Sequence, residues 1–335
     1  MPLPLEPGAR GEDVRDLHLR LAAAGFPVRG MTPDHFSDAT SSAVRSFQTA
    51  RGLDASGLCD STTWLQLVEA GHRLGDRLLY LHAPNLRGDD AAELQLRLGS
   101  LGFDAGRVDG IFGRQTERAL VDFQRNAGLP TDGIAGQDTV RELGRLGAKS
   151  DQRDTVAVVR ERERLRRSPR SLVNRRVVLG EFGGSAAAVL ATARQLRTLG
   201  ASVITLHHPD ASRHASDANA SDAELYLAVD TTADAACCAM YFATTGFVST
   251  GGRRLAQIVA ATAAEVLQIP PVSLGNRTPV LRETRMPAVQ LRIGPAALVG
   301  TNLATVAAAL VAAVEHWFLE PLEDIHPEQE GLSRP

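Results

Sequence analysis

Residues 36–63 read FSDATSSAVRSFQTARGLDASGLCDSTT and residues 112–139 read FGRQTERALVDFQRNAGLPTDGIAGQDT, and this pair of stretches decides the fold of the first half of the chain. At an offset of 76, Phe36, Thr40, Ala43, Phe47, Gln48, Gly52, Leu53, Gly57 and Thr63 coincide with Phe112, Thr116, Ala119, Phe123, Gln124, Gly128, Leu129, Gly133 and Thr139. Upstream the offset becomes 77, with Gly11, Leu17, Leu21, Gly25 and Phe26 matching Gly88, Leu94, Leu98, Gly102 and Phe103. A one-residue insertion accounts for the change, so residues 1–74 and 78–147 are two copies of one module. In the second copy Leu94, Leu98 and Leu101 share one helical face, Ala119, Leu120 and Phe123 another, and a third short helix runs near Thr139–Leu143. Gly-Phe and Gly-Leu pairs fall where helices stop, because glycine enters the left-handed conformation without a Cβ penalty. Each copy is predicted to be a three-helix bundle.

Moving outward, residues 148–175 form a linker whose heart, VRERERLRRSPRSLVNRR, sets eight arginines against Glu161 and Glu163, a local charge of +6. Glu163 and Arg167 are spaced to pair on a helix, and Ser168-Pro169 should end it. The plain reading is a solvated charged helix between domains; the sharper one is an anion-docking strip for phosphate-bearing ligands, acidic proteins or the inner-leaflet surface.

From residue 176 to 318 the pattern alternates. Strands RVVLG, ASVITL, ELYLAV, CCAMYFA, PVLRET and AVQLRIG are separated by a polar loop after ASVITL and by helices over 185–199, 252–267 and 302–318. This predicts an open, three-layer α/β sheet, so the whole is multidomain: two all-α modules followed by an α/β domain. The tail, 319–335, holds five carboxylates against Arg334 and several prolines, a composition that favours disorder.

The remaining bulk properties exclude more than they assign. A chain of 335 residues exceeds what one core sustains, and 44% hydrophobic with 22% charged residues and a net charge of -3 rules out collagen, coiled coil and wholesale disorder. Lys149 is the single lysine among 36 basic residues, a habit of GC-rich genomes. Cys59, Cys237 and Cys238 build neither a disulfide framework nor a CxxC metal pair. The amino terminus, MPLPLEPGARGEDVRD, has no basic start and no apolar run, and no window reaches membrane-spanning length. The expectation is a cytoplasmic chain without a transmembrane segment, at most peripheral to the inner membrane surface, with no nucleic-acid partner.

RGDDAAELQLRLGSLGF (87–103) and VDGIFGRQTERALVDFQRNAGLPTDGIAGQDTV (108–140) closely resemble the bacterial peptidoglycan-binding module, with its leucine-glutamine helix, DGxFGxxT turn, FQ pair and GLxxDGxxGxxT ending. The resemblance implies a peptidoglycan fragment or precursor as ligand, with Asp109, Phe112, Gln124 and Asp132 as candidate binding positions. The first copy departs at the turn (TPDHFSDAT) and at the end (LDASGLCDSTTW) and is the divergent one.

RRVVLGEFGG, LATARQLRTLGASVITLHHPD and VLRETRMPAVQLRIG resemble the zinc-dependent N-acetylmuramoyl-L-alanine amidase domain. That resemblance implies an enzyme fold cleaving the lactyl amide between glycan and stem peptide, through His and Glu ligands to one zinc and a carboxylate general base. The matched positions hold other chemistry. Phe182 stands where the first His would be, Asp230 where the second would be, and Arg292 in place of the base; Glu181 is the one residue that could be a vestige of the Glu ligand. Zinc and catalysis are therefore expected to be lost, with Arg292 either holding an anionic ligand or neutralised by Asp230 or Glu181. The cluster His207, His208, Asp210 and His214 reads as a surface loop, and Ser249 or Thr250 as the cap of the helix after TTGFVSTGG.

The combination of two modules, arginine-rich linker and disarmed amidase fold resembles the actinobacterial CwlM-type group. This implies a non-catalytic regulator or scaffold of peptidoglycan precursor synthesis, with a cytoplasmic enolpyruvyl transferase-like enzyme, flippase machinery and a Ser/Thr kinase as partners. In that group the phosphorylated threonine lies in the tail; this tail contains only Ser333. The competing readings are a hydrolase with an atypical site and a plain wall-binding protein.

Overall fold

A computed structural model describes residues 3–30, 32–147 and 154–322. The acidic end of the tail and the start of the linker lie outside them. The chain divides into two compact units, Met1–Val159 with Thr244–Phe247, and Arg160–Ala243 with everything from Val248 onward.

The first unit contains α1 (Glu12–Ala23), α2 (Asp38–Ala50) and α3 (Ser61–Ala70), then α4 (Asp89–Ser100), α5 (Arg114–Ala127) and α6 (Gln137–Gly147). Each trio closes on its own core: Val14, Leu17, Leu21, Phe36, Phe47 and Leu67 in one, and Leu94, Leu98, Phe112, Leu120, Phe123 and Leu143 in the other, all buried. The duplication extends to isolated backbone bridges, Leu5 with Cys59 and Arg10 with His35 in the first module, Leu79 with Ala135 and Arg87 with Ile111 in the second. Arg51 donates to both carboxylate oxygens of Asp89, at 2.8 and 2.6 Å. Arg77 reaches Asp90, whose side chain is 1% exposed, at 2.7 Å. A carboxylate buried to that extent is costly to leave without a partner charge.

The boundary between units falls inside α7 (Val156–Arg167). Beyond it come β1 (Arg176–Glu181), α8 (Ala186–Thr198), β2 (Ser202–His207), α9 (Ala211–Ala220), β3 (Leu225–Thr231), β4 (Ala236–Thr244), β5 (Phe247–Val248), α10 (Thr250–Leu267), β6 (Val272–Asn276), α11 (Pro279–Glu283), β7 (Ala288–Gly294), α12 (Ala296–Thr301) and α13 (Leu303–Leu319). The sheet runs β2-β1-β3-β7-β4-β5, with β6 beside β4; β2, β1, β3 and β7 are parallel and β4 runs antiparallel to β7. One face packs against α8, α10 and α13 through Val177, Leu179, Leu227, Leu291, Val259 and Leu310. The helices α9 and α11 cover the other face, making three layers.

The local expectations need several corrections. PVLRET is not a strand: Pro279 supplies the fixed φ of a first helical residue, so its segment forms α11. The polar loop after β2 is α9, started by Asp210, whose carboxylate accepts the Arg213 N–H at 3.0 Å. Its small, polar residues hid a buried stripe of His214, Ala215 and Ala218. The short elements β6 and α12 carry too little periodicity to be read from sequence. The linker, too, is more than a solvated helix. Glu163 pairs with Arg167 at 2.7 Å and α7 stops at Arg167, as the spacing predicts, but Leu165 and Leu172 are buried in the core of the second unit.

Candidate functional site

In the second module the candidate ligand residues form a turn lock. The Gln124 amide nitrogen donates to the Ile134 carbonyl (3.1 Å), the Thr139 hydroxyl (3.3 Å) and Asp132 (2.8 Å), while its oxygen accepts the Gly133 N–H at 3.0 Å. Gly133 sits at φ +71°, a left-handed turn that a residue with a Cβ enters only under strain. Asp132 also accepts the Ile134 N–H, and these donors hold its carboxyl below the usual range. A matching lock joins α4 to the preceding turn of α5: Gln95 donates to Asp109, the Ile111 carbonyl and Thr116 and accepts from Gly110 N–H. Phe112 and Gln124 are therefore corrected as surface ligand contacts. Phe112 is fully buried, and the Gln124 amide is committed to the turn. Asp132 is exposed and Asp109 partly so, and each orders its own turn by accepting the N–H two residues on.

In the second unit, strand alternation sorts the candidates. Val177 and Leu179 face the α8 side, so Glu181 does too, whereas Gly180 and Phe182 face α9. On β3 and β7, Leu227 and Leu291 face α8, which puts Asp230 and Arg292 on the α9 side. The structure thus separates Glu181 from Asp230 and Arg292. Glu181 is buried; it accepts the Gly183 N–H at 2.8 Å and meets His207 Nδ1 at 3.3 Å, its register partner on β2. Asp230 and Arg292 are register partners across β3 and β7, with Arg292 Nε 3.5 Å from Asp230 Oδ2. Cys238 is the β4 partner of Arg292; burial raises its thiol pKa and the guanidinium opposes that.

The histidines divide likewise. His214 is not on a surface loop but is fully buried: its Nε2–H donates to the His208 carbonyl and its Nδ1 accepts the Tyr226 hydroxyl, both at 2.8 Å. This tautomer follows from the partners. Burial lowers the His214 pKa and raises that of Tyr226. Phe182 stacks on the His214 ring, centroids 4.6 Å apart. At Gly180 a Cβ would stand 2.4 Å from the Tyr226 oxygen, so glycine is what lets this stack reach the strand. Asp210 is spent capping α9, and His208 lies 3.5 Å from Asp217. His207 is the member that reaches a candidate site residue, and the β1–β2 register was the signal that could have found it.

These residues do not fit a catalytic zinc. A phenyl ring and a guanidinium occupy two of the expected positions, the one candidate Glu lies on the opposite face, and among the described residues no three His, Cys, Asp or Glu side chains converge.

The glycine-rich helix start does hold an anion, supplied by the chain itself. Ser249 caps α10, and Glu161 of α7 accepts from the Ser249 hydroxyl (2.8 Å), Thr250 N–H (2.9 Å) and Gly251 N–H (3.2 Å). A carboxylate there satisfies exposed amides and complements the helix dipole. Sequence spacing gave no sign of this contact, because 88 residues separate Glu161 from Ser249.

Comparison with known proteins gives three findings. The family described as "Putative peptidoglycan binding domain" matches residues 10–67 and 87–143. The N-acetylmuramoyl-L-alanine amidase CwlM of Mycobacterium tuberculosis is 32% identical over 329 residues, covering 86% of this chain and 80% of that protein. The N-acetylmuramoyl-L-alanine amidase CwlL of Bacillus licheniformis is 29% identical over 163 residues, 42% of this chain and 45% of that protein.

Proposed function

The chain belongs to the family of the N-acetylmuramoyl-L-alanine amidase CwlM, and from that premise we propose that it binds a peptidoglycan fragment or lipid-linked precursor without hydrolysing it. The observation that carries this reading is the Asp230–Arg292 pair. A guanidinium beside Asp230 repels a divalent cation, and it stands in the place of the carboxylate that would activate water. The ligand side of the reading is supported by the two modules matched to the peptidoglycan-binding family, and within the second of them by the Asp109 and Asp132 turns, which the buried Gln95 and Gln124 hold in place. Binding without turnover suits a regulator or scaffold of precursor synthesis, acting in the cytoplasm on an enolpyruvyl transferase-like enzyme, with flippase machinery and a Ser/Thr kinase as further partners.

Purified full-length protein should contain well under one zinc per chain and leave the lactyl amide of muropeptides intact while binding them in calorimetry. One zinc per chain together with release of stem peptide would overturn the proposal. A second reading, an amidase with a rearranged site, is favoured by the Glu181–His207 contact. Under that reading Glu181→Gln abolishes cleavage; under ours there is no cleavage to abolish. Pull-down from native lysate reads the proposed partners, and recovery of the protein outside the membrane would favour plain wall binding.

A further inference from the structure

At the end of the sheet where β1 and β2 begin, the loop after α7 is tied to the turn before β2. Asn174 N–H donates to the Gly200 carbonyl and Ser202 N–H to the Arg175 carbonyl, each at 2.8 Å. Arg175 is spent inward on Glu224, Ser168 and the Pro169 carbonyl, which shapes the loop. What remains outward is basic: Arg164, Arg166, Arg167, Arg170, Arg176 and Arg197 are exposed. The acids nearby are Glu163, engaged with Arg167, and Asp222, 4.0 Å from Arg176; Glu161 is withdrawn onto α10. Between the arginines stand two bare aliphatic side chains, Val173 at 56% exposure and Leu199 at 40%, Val173 packing over Gly200 next to Leu199.

We propose that this pole of the second unit is a docking surface for an anionic phospholipid bilayer. Six arginines, of which Arg170 and Arg197 also donate to the Leu165 and Val203 carbonyls and Arg167 pairs with Glu163, present positive charge and free N–H groups to lipid phosphates, and clusters of this size partition to anionic surfaces. The two aliphatic side chains enter the headgroup boundary, where exposure to water no longer penalises them. A polynucleotide fits less well, because residues 160–176 offer no aromatic ring for base stacking. An acidic protein would answer the arginines but leaves Val173 and Leu199 without a role. The inference does not depend on the peptidoglycan reading, since it uses none of the residues placed in the modules or at the carboxyl ends of the strands.

The test is co-sedimentation of the full chain with vesicles of phosphatidylglycerol and phosphatidylcholine, beside vesicles of phosphatidylcholine alone. Binding should require phosphatidylglycerol and weaken as salt rises from about 0.1 to about 0.5 M. With about fivefold in partition per arginine, Arg164→Gln/Arg167→Gln/Arg170→Gln should lose roughly 100-fold. Val173→Asp should lose several-fold in binding with the arginines intact, and unchanged circular dichroism melting confirms that both variants fold. Equal sedimentation with both vesicle types, or an undiminished triple variant, overturns the proposal. So does a chain that ignores vesicles yet binds an acidic protein or duplex DNA through the same arginines.

Discussion

The two modules of the first unit solve one problem with different residues, and the difference separates what the fold needs from what it tolerates. In both, a glutamine on the middle helix ties down the last turn: Gln48 holds Leu58, Thr63 and Gly57 as Gln124 holds Ile134, Thr139 and Gly133. At the first turn the solutions part. Gln95 in the second module is replaced by His18 in the first, whose ring nitrogens meet the Pro33 carbonyl at 3.0 Å and the Thr40 hydroxyl at 2.9 Å. The geometry requires a buried group bridging a turn carbonyl and a threonine; an amide does this without titrating, an imidazole does not. The divergent turn of the first module, TPDHFSDAT, is the counterpart of that exchange.

The largest expected effect tests the shared lock. Gln124→Ala strands the Gly133 N–H and the Ile134 carbonyl and should destabilise the second module by about 3 kcal/mol, with Gln48→Ala costing the first module a similar amount. Urea unfolding followed by hydrogen exchange in α2 and α5 reads both, and unequal losses would break the equivalence. Next comes a feature of the second module alone. Arg77→Ala leaves buried Asp90 without its partner charge and should cost about 2 kcal/mol, discounted because Arg77 is partly exposed, whereas Asp13→Ala at the equivalent, less buried position should cost less than about 0.5 kcal/mol.

The third prediction is a pH dependence. Burial lowers the His18 pKa from 6.5, so the stability that neutral His18 provides is complete above pH 6.5 and is lost as pH falls from there through the depressed folded-state value. Amide exchange in α1 and α2 should accelerate on acidification while α4 and α5 stay protected, and His18→Gln should flatten the difference. An equal acid response in both modules would remove the distinction. The smallest effect is Asp132→Ser, which copies Ser56 of the first module and should cost less than about 0.5 kcal/mol in thermal unfolding.

Much of this architecture is legible in the amino-acid sequence, for reasons that vary along the chain. Repeated leucines and phenylalanines, closed by left-handed glycines, announce local helices, and the alternation from Arg176 onward announces a layered sheet. Phe182, Asp230 and Arg292 could be placed by likeness to a family, and the structure brings Asp230 and Arg292 into contact. Long-range pairings escaped: the β1–β2 register that sets His207 against Glu181, the strand alternation that puts Glu181 on the other face, and the inward turn of His214 all depend on which strands adjoin. Phe112 and Gln124 mislead because their recurrence as Phe36 and Gln48 in the first module reflects core packing and a shared turn lock, which a sequence does not distinguish from a shared ligand.

The Glu161 contact bears on where the second unit can be cut. The sheet pattern puts its first residue near Arg176, yet a fragment starting there would expose the amides of Thr250 and Gly251, leave Ser249 without its carboxylate and open the slot filled by Leu165. A fragment beginning at 155 would retain all three. The same tether should make limited trypsin digestion selective: of the eight arginines in this segment, those on the outer face of α7 are offered to the protease, while cleavage near Glu161 waits for the helix to lift.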